Sequence, residues 1–207
     1  AAGAITQSGA ITVAGTTSLA AGAANAITLA NASNDFTGAV RISTGLDVAI
    51  TDSDEIDFGI STISGNLAVT ANGAITQSGA ITVDGTTSLT AGAANDITLT
   101  AANQIDGAVQ VISGRNVTLN DADSTGVLTL AASTISGNLT VTSSEPITQS
   151  GALAVTGTTT LAAGSANDIT LADAGNTFGG PVVITSADDV TLNETGEIAL
   201  GASTISG

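Results

Sequence analysis

Short runs of alternating apolar and polar residues follow one another along the whole chain, separated by Gly, Ser, Asn or Asp. Examples are residues 67–70 (LAVT), 80–83 (AITV) and 97–99 (ITL). A period of two places Ile, Leu and Val on one face of a strand and Thr, Ser or Asn on the other, unlike the 3.6-residue period of a helix. The small polar residues between the runs are typical of turns. The pattern therefore predicts an all-β chain made of many short strands.

Two sequence phrases recur three times and define a repeat of about seventy residues. The phrase Ile-Thr-Gln-Ser-Gly occurs at 5–9, 75–79 and 147–151, with spacings of 70 and 72 residues. The phrase Ser-Thr-Ile-Ser-Gly occurs at 61–65, 133–137 and 203–207, with spacings of 72 and 70. We divide the chain into tandem repeats at approximately 1–65, 66–137 and 138–207, and we expect residues 1–207 to form one continuous unit.

The number of short strands and the shortness of their connections favour a solenoid. A single sheet would not hold so many strands, and the turns are too short for helical crossovers, so the chain is expected to coil with each turn stacked on the last. The prediction is a parallel β-solenoid with about three strands per coil, about three coils per repeat and about nine coils in all. At ~4.8 Å per coil the rod would be about 43 Å long.

The composition indicates an aliphatic core. The chain has 25 Gly, three Phe and no Trp, Tyr or Cys, yet it is 43% hydrophobic with a mean hydropathy of +0.43. It is therefore too apolar to be disordered, and neither disulfides nor thiolate metal sites contribute to its stability. Phe36 and Phe178 occupy matching positions with Ile105 in the middle repeat, which indicates a large apolar filler in the core.

Charge and hydropathy each exclude one kind of partner. Eighteen acidic residues against two basic ones give a net charge of −16, which repels the phosphates of nucleic acids. Gly, Thr, Ser and Asn interrupt every apolar stretch, so no window of about twenty residues is apolar enough for a transmembrane helix. We therefore expect neither nucleic acid nor a membrane span. The chain begins and ends inside a repeat, so we expect it to be part of a longer protein.

The inventory of reactive side chains is poor. With no His, Cys, Tyr or Lys, catalysis would depend on carboxylates and hydroxyls alone, so we predict no catalytic residue, no cofactor and no enzymatic activity. The enzymatic alternative is a β-helical polysaccharide hydrolase or lyase, in which paired acids act on a solenoid face. Only Arg41 and Arg115 would be available there to bind acidic sugars.

Acidic residues concentrate in the same loop of each repeat, at 51–55, 120–127 and 193–197. The loop varies in length, which predicts that it is exposed. Asp121 and Asp123, followed by Gly126, faintly resemble the start of a calcium loop and are candidate calcium ligands. The simpler interpretation is a set of solvated turns that keep the chain soluble. Outward Thr-x-Thr pairs on every coil would indicate an ice- or mineral-binding face, but the sequence shows no such regular array.

The phrases ITQSGA (5–10), GTTSLAAG (15–22) and ANDITL (94–99) resemble repeats of filamentous haemagglutinin-like adhesins, and the resemblance covers essentially the whole chain. It implies a giant exoprotein of a Gram-negative bacterium, exported by two-partner secretion, folded as a right-handed β-helix and serving in adhesion, aggregation or biofilm matrix.

From this resemblance we expect an extracellular location at the bacterial cell surface. The expected function is the structural shaft of an adhesin or matrix filament, with extracellular polysaccharide or cell-surface receptors bound through the parent protein. The alternatives are a carbohydrate-active β-helical enzyme and a polysaccharide-binding module. We also expect the exposed coil ends to associate end to end.

Overall fold

The structure, a computed structural model, describes residues 3–207. These residues form twenty-six short β-strands. None of them belongs to a helix long and apolar enough to span a membrane. The strands are β1 (Ile5–Thr6), β2 (Thr12–Val13), β3 (Thr17–Ala20), β4 (Ile27–Leu29), β5 (Asp35–Phe36), β6 (Val40–Thr44), β7 (Val48–Asp52), β8 (Ile56–Phe58), β9 (Ser61–Ile63), β10 (Leu67–Ala71), β11 (Ile75–Gln77), β12 (Ile81–Val83), β13 (Thr87–Thr90), β14 (Ile97–Ile105), β15 (Val109–Ser113), β16 (Val117–Asp121), β17 (Leu128–Leu130), β18 (Ser133–Ile135), β19 (Leu139–Ser143), β20 (Ile147–Gln149), β21 (Leu153–Val155), β22 (Thr159–Ala162), β23 (Ile169–Leu171), β24 (Thr177–Phe178), β25 (Val182–Ser186) and β26 (Val190–Leu192).

Two long parallel sheets run the length of the molecule. Sheet 1 has ten strands in the order β1-β4-β7-β10-β13-β15-β17-β20-β23-β26. Sheet 2 has eleven strands, with β3-β6-β8-β11-β14-β16-β19-β22-β25 as its main path and β9 and β12 beside it. Two smaller groups, β2-β5 and β18-β21-β24, lie between the two long sheets in chain order. The chain thus passes from sheet 1 to sheet 2 and back in every coil, which confirms the predicted parallel β-solenoid of about nine coils.

A repeat does not contain a whole number of coils. The three copies of the Ile-Thr-Gln phrase include β1, β11 and β20, of which β1 and β20 belong to sheet 1 and β11 to sheet 2. Sheet 1 takes seven steps from β1 to β20, so two repeats span seven coils and one repeat spans three and a half. The expectation of about three coils per repeat was wrong. Coils are shorter than expected, since Val48 pairs with Leu67 only nineteen residues later.

Aliphatic side chains fill the space between the sheets. In sheet 1, Ile27 pairs with Val48 and Val48 with Leu67, and all three are buried. Each coil therefore places an apolar side chain directly over another, which removes both from water. The predicted fillers Phe36, Ile105 and Phe178 are buried as well, and this confirms their assignment to the core.

Polar side chains continue the ladder outside the strands. At one corner the Oδ1 atom of Asn116 accepts a hydrogen bond from the backbone N–H of Asn138 (3.0 Å), and the Oδ1 atom of Asn138 accepts one from Thr158 (2.8 Å). Asp47 and Asn66 accept in the same way from the residue one coil above, each at 2.9 Å. Corner amides that would otherwise lack a protein partner are thereby satisfied.

Replacement of a stacked core residue should destabilise the solenoid far more than replacement of its outward neighbour. We expect Ile97→Ala to lower the free energy of unfolding by about 2–5 kcal/mol, because it leaves a cavity beneath sheet 2. Thr98→Ala, the adjacent outward position, should change it by less than about 0.5 kcal/mol. Urea denaturation followed by circular dichroism compares the two variants. Equal losses would contradict the inward and outward assignment of β14.

Candidate functional site

A pair of amide side chains, a buried asparagine and a half-buried glutamine, recurs once in each repeat. Gln149 donates from Nε2 to the Oδ1 atom of Asn176 (2.8 Å), and Asn176 donates from Nδ2 back to the Oε1 atom of Gln149 (2.9 Å). The same reciprocal pair joins Gln7 to Asn34 and Gln77 to Asn103. Each pair links segments that are a full coil apart.

The asparagine of each pair is also bonded to the backbone on several sides. Asn176 is 0% exposed, accepts from the N–H of Leu153 (2.8 Å) and donates to the carbonyls of Leu171 (3.3 Å) and Asn193 (2.9 Å). All of its hydrogen-bonding capacity is used, and an amide does not titrate. The repeated Gln and Asn are therefore structural, and they explain why the Ile-Thr-Gln phrase is retained in every repeat.

The Ser-Thr-Ile-Ser-Gly phrase also has a structural role. The Oγ atom of Ser64 donates to the carbonyl of Ala23 (2.8 Å), and Ser136 and Ser206 make the equivalent bonds to Ala93 (2.7 Å) and Ser165 (2.9 Å). Each of these bonds crosses about forty residues and reaches a turn that contains a glycine with positive φ, for example Gly22 at +92°. The serine therefore holds a tight turn that lies about two coils away.

Threonine hydroxyls form regular columns on the outside of both long sheets. On sheet 2 the outward position is Thr in five successive coils, at Thr76, Thr98, Thr118, Thr140 and Thr160. Sheet 1 has a column of four at Thr129, Thr148, Thr170 and Thr191. We call these the threonine columns. Their members are about 4.8 Å apart along the axis.

The threonine columns could not be found from the sequence. Successive repeats are offset by half a coil, so equivalent threonines such as Thr28, Thr98 and Thr170 lie on sheet 1, sheet 2 and sheet 1, and each column combines threonines of different repeats. The position two residues further along sheet 2 varies, as Thr100, Asn120, Thr142 and Ala162 show. The surface therefore has single columns of hydroxyl and methyl groups, and stacked Thr-x-Thr pairs remain irregular.

The acidic loops are only partly exposed. Asp52 is buried and accepts hydrogen bonds from the N–H groups of Phe36 (3.2 Å) and Asp54 (3.4 Å). In the third repeat Glu194 accepts from the N–H of Phe178 (2.8 Å). One carboxylate per loop thus caps the backbone of the apolar filler residue, and only the loop tips, such as 53–55, are exposed.

The two candidate calcium ligands lie in the middle loop and are both engaged. Asp121 is buried and accepts from the N–H groups of Ile105 and Asp123, each at 3.3 Å. Asp123 accepts from the N–H of Ser124 (2.7 Å) and from the hydroxyl of Thr125 (3.1 Å). Within residues 3–207 no group of three or more Asp, Glu, His or Cys side chains is placed to hold a metal ion.

Sequence reasoning missed a third acid at this place, Glu145. Its side chain is buried next to Asp121, although it lies well outside the acidic loop in the sequence. Burial, together with the negative charges of Asp121 and Asp123, raises the pKa of Glu145 to about 7. Burial also raises the pKa of Asp121. The only signal in the sequence was the longer loop of this repeat.

The two arginines lie apart from these acids. Arg115 forms a bidentate ion pair with Asp96, with both nitrogen–oxygen distances at 2.8 Å, and holds the pKa of that carboxyl well below its usual range. The pair is exposed, so it contributes little to stability. Arg41 lies on the outer surface of β6, at a position where the other repeats have Gln110 and Val183. No basic residue therefore accompanies the buried acids.

The family described as repeats of unknown function (DUF5649) matches residues 1–43, 45–112 and 114–185. The three matched segments cover most of the chain. No curated protein and no solved structure matches the chain significantly.

Removal of one buried amide should cost more than removal of an exposed one on the neighbouring coil. Asn176→Ala leaves the N–H of Leu153 and the amide of Gln149 without their partner, so we expect a loss of about 2–4 kcal/mol in the free energy of unfolding. Asn193→Ala, an exposed control, should cost less than about 0.5 kcal/mol. Urea midpoints of both variants provide the measurement. A difference of zero would show that the amide pair does not hold the coils together.

Proposed function

We propose that this chain, which belongs to the family described as repeats of unknown function (DUF5649), is the structural shaft of a secreted bacterial surface adhesin or matrix filament. In this function the shaft carries adhesive parts of the parent protein away from the cell. Adhesion between cells, to a host or to biofilm matrix would then follow from what those parts bind, which we propose to be extracellular polysaccharide or cell-surface receptors.

A shaft is supported by the structural role of the residues that recur in every repeat. Gln7, Asn34, Gly22 and Ser64, with their counterparts in the other repeats, all serve turns or contacts between coils. A binding or catalytic site needs one unrepeated constellation of side chains, whereas repeats that retain only packing residues extend the length of a molecule. The drift of outward positions, such as Arg41, fits the same interpretation.

The parallel ladder also suits a load-bearing role. Backbone hydrogen bonds run along the axis from coil to coil, so a pull on one end is shared at each interface by all the hydrogen bonds between the two coils. The net charge of −16 keeps neighbouring shafts and anionic surfaces apart. We propose an extracellular location at the bacterial surface and export by two-partner secretion, as in the haemagglutinin-like adhesins that the repeats resemble.

A polysaccharide-binding shaft is the second candidate, and the threonine columns favour it. Their hydroxyls form a neutral, evenly spaced row of hydrogen-bonding groups on an outer surface. A catalytic role has less support, because the leading acids Asp52 and Asp121 are buried and cap backbone N–H groups. We propose that the chain is not an enzyme.

Cryo-electron tomography of cells that carry the full-length parent protein tests the shaft directly. We expect thin rods that project from the surface and join neighbouring cells or matrix. Deletion of two repeats, which is seven coils, should shorten each rod by about 34 Å at ~4.8 Å per coil. A compact particle without rods would contradict the shaft and favour the carbohydrate-active alternative.

Exposed apolar side chains at the last coil lead to a second proposal, that the isolated 207-residue chain associates end to end. Leu200 and Ile205 are 65% and 47% exposed there and line an apolar cavity with Val190 and Leu192. Sedimentation velocity should show larger species as concentration rises. Leu200→Glu should shift them back to monomer, because it puts a charge on the stacking surface, whereas Ile60→Glu on the side of the rod should not. A monomer at all concentrations would contradict the proposal.

A further inference from the structure

The last coil repeats the contacts of the coil that ends the first repeat. The backbone N–H of Ile184 donates to the Oγ atom of Ser203 (3.0 Å), as that of Ile42 donates to Ser61 (3.0 Å). Each residue of the later pair lies 142 positions after its counterpart. The same offset relates two further contacts, Val182 with Leu200 and Ala187 with Ile205, to Val40 with Phe58 and Gly45 with Ile63. The two coils therefore have the same conformation.

Residues 66–83 form the coil that covers the earlier of these two. Their inward side chains stack in register on those below, in the pairs Leu67 with Val48, Ile75 with Ile56 and Val83 with Ile63. The segment contains no charged residue. Apolar burial and the parallel hydrogen bonds between the coils therefore hold it in place.

The last coil presents matching apolar residues without such a cover. Val190, Ile198 and Ile205 stand at the positions of Val48, Ile56 and Ile63. Strand β26 is the last strand of sheet 1 within residues 3–207. With Leu192 and Leu200, the three residues line an apolar cavity of about 290 Å³. This open end is thus built like the surface on which residues 66–83 lie.

A polar group at the corner of the open end is in place as well. In the earlier coil the Oδ1 atom of Asp47 accepts from the backbone N–H (2.9 Å) and the Nδ2 atom (3.0 Å) of Asn66. Asp189 stands at the position of Asp47. A Cβ atom on Gly207 would lie 2.6 Å from the Oδ1 atom of Asp189, and one on Gly65 would lie at the same distance from Asp47. Asp189 is therefore oriented to accept from an asparagine at the start of a further coil.

A folded second copy fills this end only in part. Its Ile5 matches Ile75 and would lie over Ile198, in the register that the repeats share. The 207-residue chain has no residue matching Leu67 ahead of Ile5, so Val190 would stay uncovered. Within a folded copy, residues 67–70 are already paired on both sides. An unfolded segment therefore fits the end better than a folded one.

We propose that the C-terminal end of the solenoid, residues 189–207, binds an unfolded repeat segment from a second copy of the chain, and that this segment folds on it as one further coil. The segment is the one that contains residues 66–83. Strand addition to an open sheet edge gains affinity from backbone hydrogen bonds and specificity from alternate side chains. Because the segment is uncharged, the net charge of −16 does not repel it. The folded end thus serves as a template for repeats that are still unfolded.

The proposal is independent of the function as a shaft and of the association of two folded ends. Fluorescence anisotropy of a labelled peptide of residues 66–83 tests it, with the 207-residue chain at a concentration at which sedimentation shows monomer. We expect saturable binding. Val69→Asp in the peptide should weaken the affinity about tenfold or more, because the charge would be buried. Thr70→Asp, the adjacent outward position, should change it less than about threefold.

Variants of the chain locate the binding site. Leu200→Glu should weaken peptide binding about tenfold or more, since it places a charge in the cavity. Ile5→Glu at the opposite end and Ile60→Glu on the side of the rod should bind the peptide like the wild type. If Leu200→Glu fails to fold by circular dichroism, the two peptide variants decide.

Three results would overturn the proposal. One is the absence of saturable binding to the monomeric chain, and another is equal affinity for the Val69→Asp and Thr70→Asp peptides. The third is a loss of binding in Ile5→Glu as large as that in Leu200→Glu. A chain that stays monomeric at all concentrations but binds the peptide contradicts only the association of folded ends and supports the template.

Discussion

Axial stacking is the constraint on which the rest of this structure depends. Each coil must place an apolar side chain over the one below and direct its backbone N–H groups to the carbonyls of the neighbouring coil. The distance along the chain between paired residues varies from eighteen residues, for Val40 and Phe58, to twenty-four, for Ala20 and Thr44. Turns absorb this variation because only the paired positions need to coincide. Insertions such as the loop at 120–127 are therefore tolerated at the corners, and single extra residues are tolerated as bulges near strand ends, as between Leu19 and Ala20.

Local patterns were sufficient to predict the strands and the solenoid, because alternation of apolar and polar residues and the return of a phrase after seventy residues are both visible in a single sequence. The half-coil offset was not predictable, since it depends on the lengths of corners that contain no periodic signal. Asn34 shows the same limit. Its partner Gln7 is twenty-seven residues away, and only stacking brings the two amides together. The buried position of Glu145 likewise depends on a loop that precedes it by about twenty residues.

The half-coil offset has consequences for the rod as a whole. Equivalent strands of successive repeats, such as β4 and β14, belong to different sheets. Equivalent outward residues, such as Thr28, Thr98 and Thr170, appear alternately on sheet 1 and sheet 2 and return to the same sheet after seven coils, about 34 Å at ~4.8 Å per coil. A shaft with this symmetry offers the same groups to partners on both sides.

The most direct test measures the distances between spin labels at the equivalent outward positions Thr28, Thr98 and Thr170. Two of these positions at a time are replaced by cysteine and labelled, and the three pairwise distances are read by pulsed electron paramagnetic resonance. Thr28 and Thr170 lie on sheet 1, seven strand steps apart, and Thr98 lies on sheet 2 between them. The account predicts about 34 Å of axial separation for the first pair, and two shorter distances whose sum clearly exceeds the longest. If the two shorter distances simply add up to the longest, all three labels lie on one side, and the half-coil arrangement is wrong.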